Sequence, residues 1–185
     1  MSTKVLVHPP IAVEHGQEGT NSREYTFVRS VVAAGEYRTS TRGRDVFVTY
    51  NVTSGVAISL YDPVTGIGGL LHASFPSAQA DPMRARVNPA LFVDTGLECL
   101  IRDLVAAGAR KERLIAKIAG GANHSKEDQK LFRGEQNFTM VRATLMGQSI
   151  PIEGHQTGST KPLTMVFYLS TGRTCLRGNR KEEEI

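Results

Sequence analysis

Along residues 46–62, VFVTYNVTSGVAISLYD, apolar and β-branched side chains crowd into two short runs on either side of the polar triplet Thr53-Ser54-Gly55. Such side chains favour extended chain, so each run predicts a strand and the triplet predicts the turn between them. The next five residues, Asp62-Pro63-Val64-Thr65-Gly66, place proline early and glycine late, which suits a hairpin turn into a third strand over residues 67–74. Apolar residues at nearly every position leave these strands no face for water. Their sheet is therefore expected to be covered on both sides, by helices or by another sheet.

The period changes after residue 89. Val93, Leu97, Leu100, Ile101, Leu104 and Val105 fall at offsets 0, 4, 7, 8, 11 and 12, which predicts an amphipathic helix between residues 89 and 108, with Gly108 as its C-terminal stop. Residues 113–119 predict a strand running into Gly120-Gly121, and residues 135–146 a second helix. Strands are expected at 150–153 and 163–169, and Thr171-Gly172 turns into a last short strand at 174–176. Strands first, then mixed helices and strands, argue an α+β layered sandwich. Residues 1–30, with Pro9-Pro10 and the polar stretch EHGQEGTNSRE, lack apolar periodicity and read as a mobile arm carrying one short strand. Residues 38–45 (RTSTRGRD) read as a surface loop. The expected organisation is an arm over residues 1–30, one domain over 31–178, and a polar, frayed tail over 179–185.

Composition narrows the function classes. A chain of 185 residues suits one buried core, and 40% hydrophobic with 22% charged residues excludes wholesale disorder. The net charge of +4 is spread among acids and forms no basic run with interleaved aromatics, so no nucleic-acid partner is expected. No apolar window approaches the roughly 20 residues that span a bilayer, and MSTKVLVHPP lacks the apolar core of a signal peptide. No membrane insertion and a cytoplasmic location are the expectations. Cys99 and Cys175 sit in no CxxC pair and read as reduced core fillers. The histidines at 8, 15, 72, 124 and 155 show no metal-ligand spacing, and the glycines at 66–69 and 120–121 open no phosphate loop, so neither a metal nor a cofactor is expected.

His72 closes the third predicted strand, after Thr49, Thr53 and Ser54 on the preceding strand and turn. A lone histidine in an apolar strand is more often a core residue than a general base; here the surrounding segment raises the odds. Gly35-Glu36-Tyr37, the run from 46 to 76 ending LLHASFP, LVAAGARKERLIAKIAGGAN at 104–123, RGEQN at 133–137 and STGRTCLR at 170–177 occur in order. Together, over about residues 31–177, they resemble the CheD family of chemoreceptor glutamine deamidases. The resemblance implies a layered α/β/β sandwich of mixed sheets with two main helices. In that family a Gly-Ser-Cys segment corresponds to Thr53-Ser54-Gly55, and its cysteine attacks the side-chain amide of receptor glutamines. A histidine serves as base and a threonine on the preceding strand orients it. Carried over position by position, the base falls on His72, the orienting threonine on Thr49 and the nucleophile on Gly55.

Glycine has neither thiol nor hydroxyl, and hydrolysis by this route needs a thiolate to form a thioester. Ser54 is expected to point away from the face of Gly55, and Thr53 is displaced by about 6 to 7 Å along an extended chain. Three readings stay open. The chain is a chemotaxis module, catalytically impaired, that recognises methyl-accepting chemoreceptors or a phosphatase of the CheC kind. Or it is an amidohydrolase with a borrowed nucleophile, or with His72 activating water. Or it is a basic binding module on a similar fold.

Overall fold

The computed structural model describes residues 12–16, 25–123, 132–159, 161–178 and 181–185. Strands β1 (Ala12–Gly16), β2 (Tyr25–Val31), β4 (Asp45–Val52), β9 (Leu163–Tyr168), β10 (Thr174–Gly178) and β11 (Lys181–Glu184) form one mixed sheet in the order β1-β2-β4-β9-β10-β11. A second mixed sheet runs β3-β6-β5-β7-β8, from β3 (Glu36–Ser40), β5 (Val56–Asp62), β6 (Ile67–Ala73), β7 (Ile115–Gly120) and β8 (Ile152–Thr157). Helices α2 (Val93–Ala106) and α3 (Arg133–Gly147) cover the free face of the second sheet, and a single-turn-and-a-half helix, α1 (Pro82–Val87), precedes α2. The layers are helix, sheet, sheet, as the resemblance implies.

Every residue of β5 and β6 is buried, and strand alternation divides them between two cores. Val56, Ile58, Leu60, Leu71 and Ala73 meet Val93, Leu97, Leu100 and Leu104 of α2 and Val141 and Leu145 of α3. Ala57, Tyr61 and Leu70 point the other way, onto Phe47, Met165 and Phe167 of the first sheet. His72 shares the parity of Leu70 and Thr49 that of Phe47, so both side chains turn into the space between the sheets.

Strands β4 and β5 belong to different sheets, so residues 53–55 are a crossing and not a hairpin. The hairpin comes next: β5 and β6 pair antiparallel, Gly66 N–H donates to the Asp62 carbonyl at 2.9 Å, and Gly66 takes φ 71°, where glycine carries no side-chain penalty. Helix α2 begins at Val93, the first residue of its apolar period, because residues 89–91 form a 3₁₀ turn, and it ends at Ala106, with Gly108 at φ 107° just beyond. Val105, placed on its apolar stripe by spacing, is 45% exposed.

Three stretches hold strands beyond those expected, and the strand expected at 150–153 runs instead over Ile152–Thr157. The segment read as an arm with one short strand contains β1 and β2, β2 pairing parallel to β4; residues 1–11 and 17–24, and with them His8, lie outside the described residues, as does His124. The loop expected from residue 38 contains most of β3, an antiparallel edge partner of β6. The tail expected to fray contains β11, paired antiparallel to β10 and joined to it by Arg173–Glu184 and Arg177–Glu182 ion pairs at 2.8 and 2.7 Å. Among the described residues no helix is long and apolar enough to cross a membrane.

Candidate functional site

Two facing strands carry the pair that defines the site. Thr49 projects from β4 and His72 from β6, and their side chains join across the gap between sheets, Thr49 Oγ1 to His72 Nδ1, at 2.8 Å. The strand under His72 is held on both sides: Glu36 of β3 and Ala57 of β5 are its register partners. A bulge in β4 keeps the other half aligned. Register shifts between Thr49 and Val52, and Asn51 takes φ 56°, a left-handed conformation that asparagine tolerates better than most residues. The added residue lets Thr49 and Val52 both face inward, although they are an odd number apart, and leaves Tyr50 and Asn51 exposed.

The crossing turn lies against this pair. A Cβ built on Gly55 would stand 3.2 Å from His72 Nε2 and 2.8 Å from the Ala73 carbonyl oxygen. The φ of Gly55 is outside the left-handed region, so the backbone conformation does not demand glycine there. All three turn carbonyls are tied down. Thr53 O accepts from Ala122 N–H at 2.9 Å, Gly55 O from Gly121 N–H at 2.9 Å, and Ser54 O from the Asn137 side chain at 2.8 Å. Asn137 also donates to Ser74 O at 3.0 Å, so one fully buried amide on α3 fastens the turn to the strand end that follows His72.

Sequence reasoning quoted Asn137 within RGEQN and gave it no role. The signal was available: Gly134, Asn137, Val141 and Leu145 share the buried face of α3, and an amide on an apolar stripe needs buried partners.

A cleft of about 560 Å³ opens over the turn, lined by residues 31–34, Tyr50, Asn51, residues 53–55, His72, Ser74 and Arg133. Ser54, expected to face away from Gly55, lines this cleft too; strand alternation does not carry through a turn. On the outer side, Phe75 lies under the guanidinium groups of Arg84 and Arg133, 5.2 and 5.3 Å from its ring centre. Cys99, half-buried on α2, and Cys175, buried on β10, are absent from the lining, and burial pushes both thiols up. Among the described residues no three His, Cys, Asp or Glu side chains gather as a metal site would require.

His72 is 5% exposed, and burial lowers its pKa to about 4. The ring is therefore neutral at physiological pH. The unfolded chain binds a proton near the ordinary histidine value of about 6.5 while the folded chain does not. Stability is then complete above about pH 6.5 and falls as pH drops towards 4, by up to about 3 kcal/mol. Urea unfolding across that window should report the slope, and His72→Gln should flatten it. A parent protein equally stable at both ends would contradict the burial of a neutral ring.

A family model described as CheD chemotactic sensory transduction matches residues 75–178, a span that begins just beyond His72. Curated relatives reach further towards the N-terminus. A Solibacter usitatus protein named "Probable chemoreceptor glutamine deamidase CheD" is 34% identical over 155 residues, 84% of this chain and 92% of its own. A Syntrophus aciditrophicus protein of that name, numbered 1, is 33% identical over 80% of this chain and 93% of its own. One from Pyrococcus horikoshii is 39% identical over 79% and 90%. Among solved structures, Neisseria meningitidis protein NMB0706 is similar over 67% of this chain and 53% of its own, at 10% identity and a TM-score of 0.41.

Proposed function

The chain belongs to the CheD family, and from that premise we propose that it recognises chemoreceptors in the cytoplasm without hydrolysing their glutamines. The observation that carries this reading is the composition of the site: His72, held by Thr49, faces a glycine at the position from which a nucleophile would attack. Amide hydrolysis through a covalent intermediate needs an attacking atom beside the base, and its removal from a comparable triad costs about 10⁶ in kcat. Neither cysteine lines the cleft. Ser54 does, but a hydroxyl is a far poorer attacker than a thiolate, and a ring with a pKa near 4 is a weak base to activate it.

The cleft supports recognition independently of turnover. It is open, it sits over a turn whose carbonyls are all anchored, and the exposed Tyr50 ring stands at its rim. Chemoreceptor cytoplasmic helices are the expected partners, and a chemotaxis phosphatase of the CheC kind is the second. Titrating receptor cytoplasmic fragments into the protein tests the reading by calorimetry. Saturable binding that weakens in Tyr50→Ala is expected. Salt-sensitive binding to DNA with no receptor affinity would overturn it in favour of a basic binding module.

A further inference from the structure

Thr49 is fully buried, and among the described residues its hydroxyl has one hydrogen-bond partner, His72 Nδ1. That fact determines where the ring hydrogen sits. Were it on Nδ1, the ring would donate to Oγ1 and the hydroxyl's own hydrogen would be sealed in without an acceptor. With the hydroxyl donating to Nδ1, both groups are satisfied, and in a neutral imidazole the remaining hydrogen is on Nε2. Nε2 has no hydrogen-bond partner among the described residues. It is not sealed either, because Asn137 Oδ1 is the one side-chain atom among them that is both sealed and unpartnered. Nε2–H therefore looks out beside Gly55, into the cleft that His72 helps line.

Resting on the reading of this cleft as the recognition site, we infer that His72 acts as a hydrogen-bond donor and that the cleft binds a side-chain carboxylate through Nε2–H. A carboxylate only accepts, whereas a carboxamide also brings two N–H groups that need acceptors of their own. The lining includes Thr53, Ser54 and Ser74, whose hydroxyls serve either group, and Arg133, whose guanidinium also packs on Phe75; it includes no aspartate or glutamate to repel a carboxylate or to accept from a carboxamide. A charged acceptor makes the stronger hydrogen bonds with such donors. The site would thus favour receptor helices that present glutamate over the same helices presenting glutamine, reading the deamidated state that an active relative would leave behind.

Nitrogen NMR of the parent protein, labelled in its histidine rings, tests the donor assignment with no partner present. The expected result is a protonated Nε2 and a bare Nδ1. Two receptor-helix peptides, identical except for glutamate or glutamine at one site, are then titrated. The glutamate peptide is expected to bind about tenfold more tightly and to shift the Nε2–H resonance, and the preference is expected to vanish in His72→Phe. A protonated Nδ1 overturns the donor assignment even if receptor binding is intact. Equal or tighter binding of the glutamine peptide, or a glutamate preference that survives in His72→Phe, overturns the carboxylate site. Failure of both peptides to bind overturns the carboxylate site together with the receptor reading.

Discussion

Gly55→Cys is expected to give the site a reactive thiol and to raise glutamine hydrolysis on the order of 10³-fold or more above the parent. The new Cβ would lie 3.2 Å from His72 Nε2, so the sulfur beyond it reaches the ring. There it accepts from Nε2–H as a thiolate, its own proton being taken up on the ring at Nδ1, with Thr49 Oγ1 turning to accept at the cost of its hydroxyl's own acceptor. Burial favours the neutral ring, and a thiolate alongside favours the charged one. The pair therefore forms to the extent that its mutual attraction offsets the burial of two charges. The backbone must also yield, since the Cβ would stand 2.8 Å from the Ala73 carbonyl oxygen, tighter than real Cβ atoms tolerate. Relieving this moves an anchored turn against a backbone oxygen, at a cost of about 1–3 kcal/mol. Gly55→Ala separates the two effects: it should show the same loss of stability with no gain in activity. The thiol of Gly55→Cys should alkylate near neutral pH at least about tenfold faster than Cys99, whose thiol burial pushes up. Alkylation no faster than that of Cys99 would mean that the ring does not address the turn.

Asp62→Ala is expected to be the most damaging single change outside the site. Asp62 ends β5, and its carboxylate is completely buried. Arg113 grips it through Nε at 3.0 and 3.1 Å and Nη2 at 2.6 Å, while the N–H groups of Arg110 and Val64 donate to it at 3.0 Å each. Burial alone would push the carboxyl up; Arg113 and the backbone donors outweigh it and hold the pKa well below the usual carboxylate range. Removal leaves the partly buried guanidinium and three backbone N–H groups, those of Arg110, Val64 and, at 3.4 Å, Thr65, without their acceptor. The expected loss is about 3 kcal/mol, at the lower end for a broken buried pair because Arg113 keeps some contact with water. For a chain of this size that lowers Tm by roughly 6–12 °C. The sign with pH follows from the lowered pKa: the contribution is whole above about pH 4 and is lost as acid drives the pH down through the folded value. A Tm within about 2 °C of the parent would contradict the role given to this pair.

Much of the sandwich was legible in the apolar pattern because its central strands are buried on both faces. Strands β5 and β6 and the stripe of α2 stand out for that reason. What the pattern could not carry is which sheet a strand joins. Residues 46–62 read as two strands and a turn whether that turn closes a hairpin or crosses between sheets, and only the crossing sets Thr49 opposite His72. Edge strands were the other blind spot. All five residues of β3 are half-buried, and β11 (KEEE) is held by pairing and by charges facing β10, so neither leaves an apolar alternation to find. At the site, the family resemblance pointed to Thr49, Gly55 and His72, and the structure brings those three together. Helical spacing marks Asn137 as buried, but the two carbonyls it clamps and the wall from residues 31–34 depend on packing between distant segments, which no local spacing records.

The central claim is recognition without turnover at a histidine that faces a missing nucleophile. Prolonged incubation of receptor cytoplasmic fragments with the parent protein, read glutamine by glutamine by mass spectrometry, tests it most directly. The predicted result is no conversion of glutamine to glutamate above the spontaneous background. Conversion above that background that disappears in His72→Ala would contradict the claim.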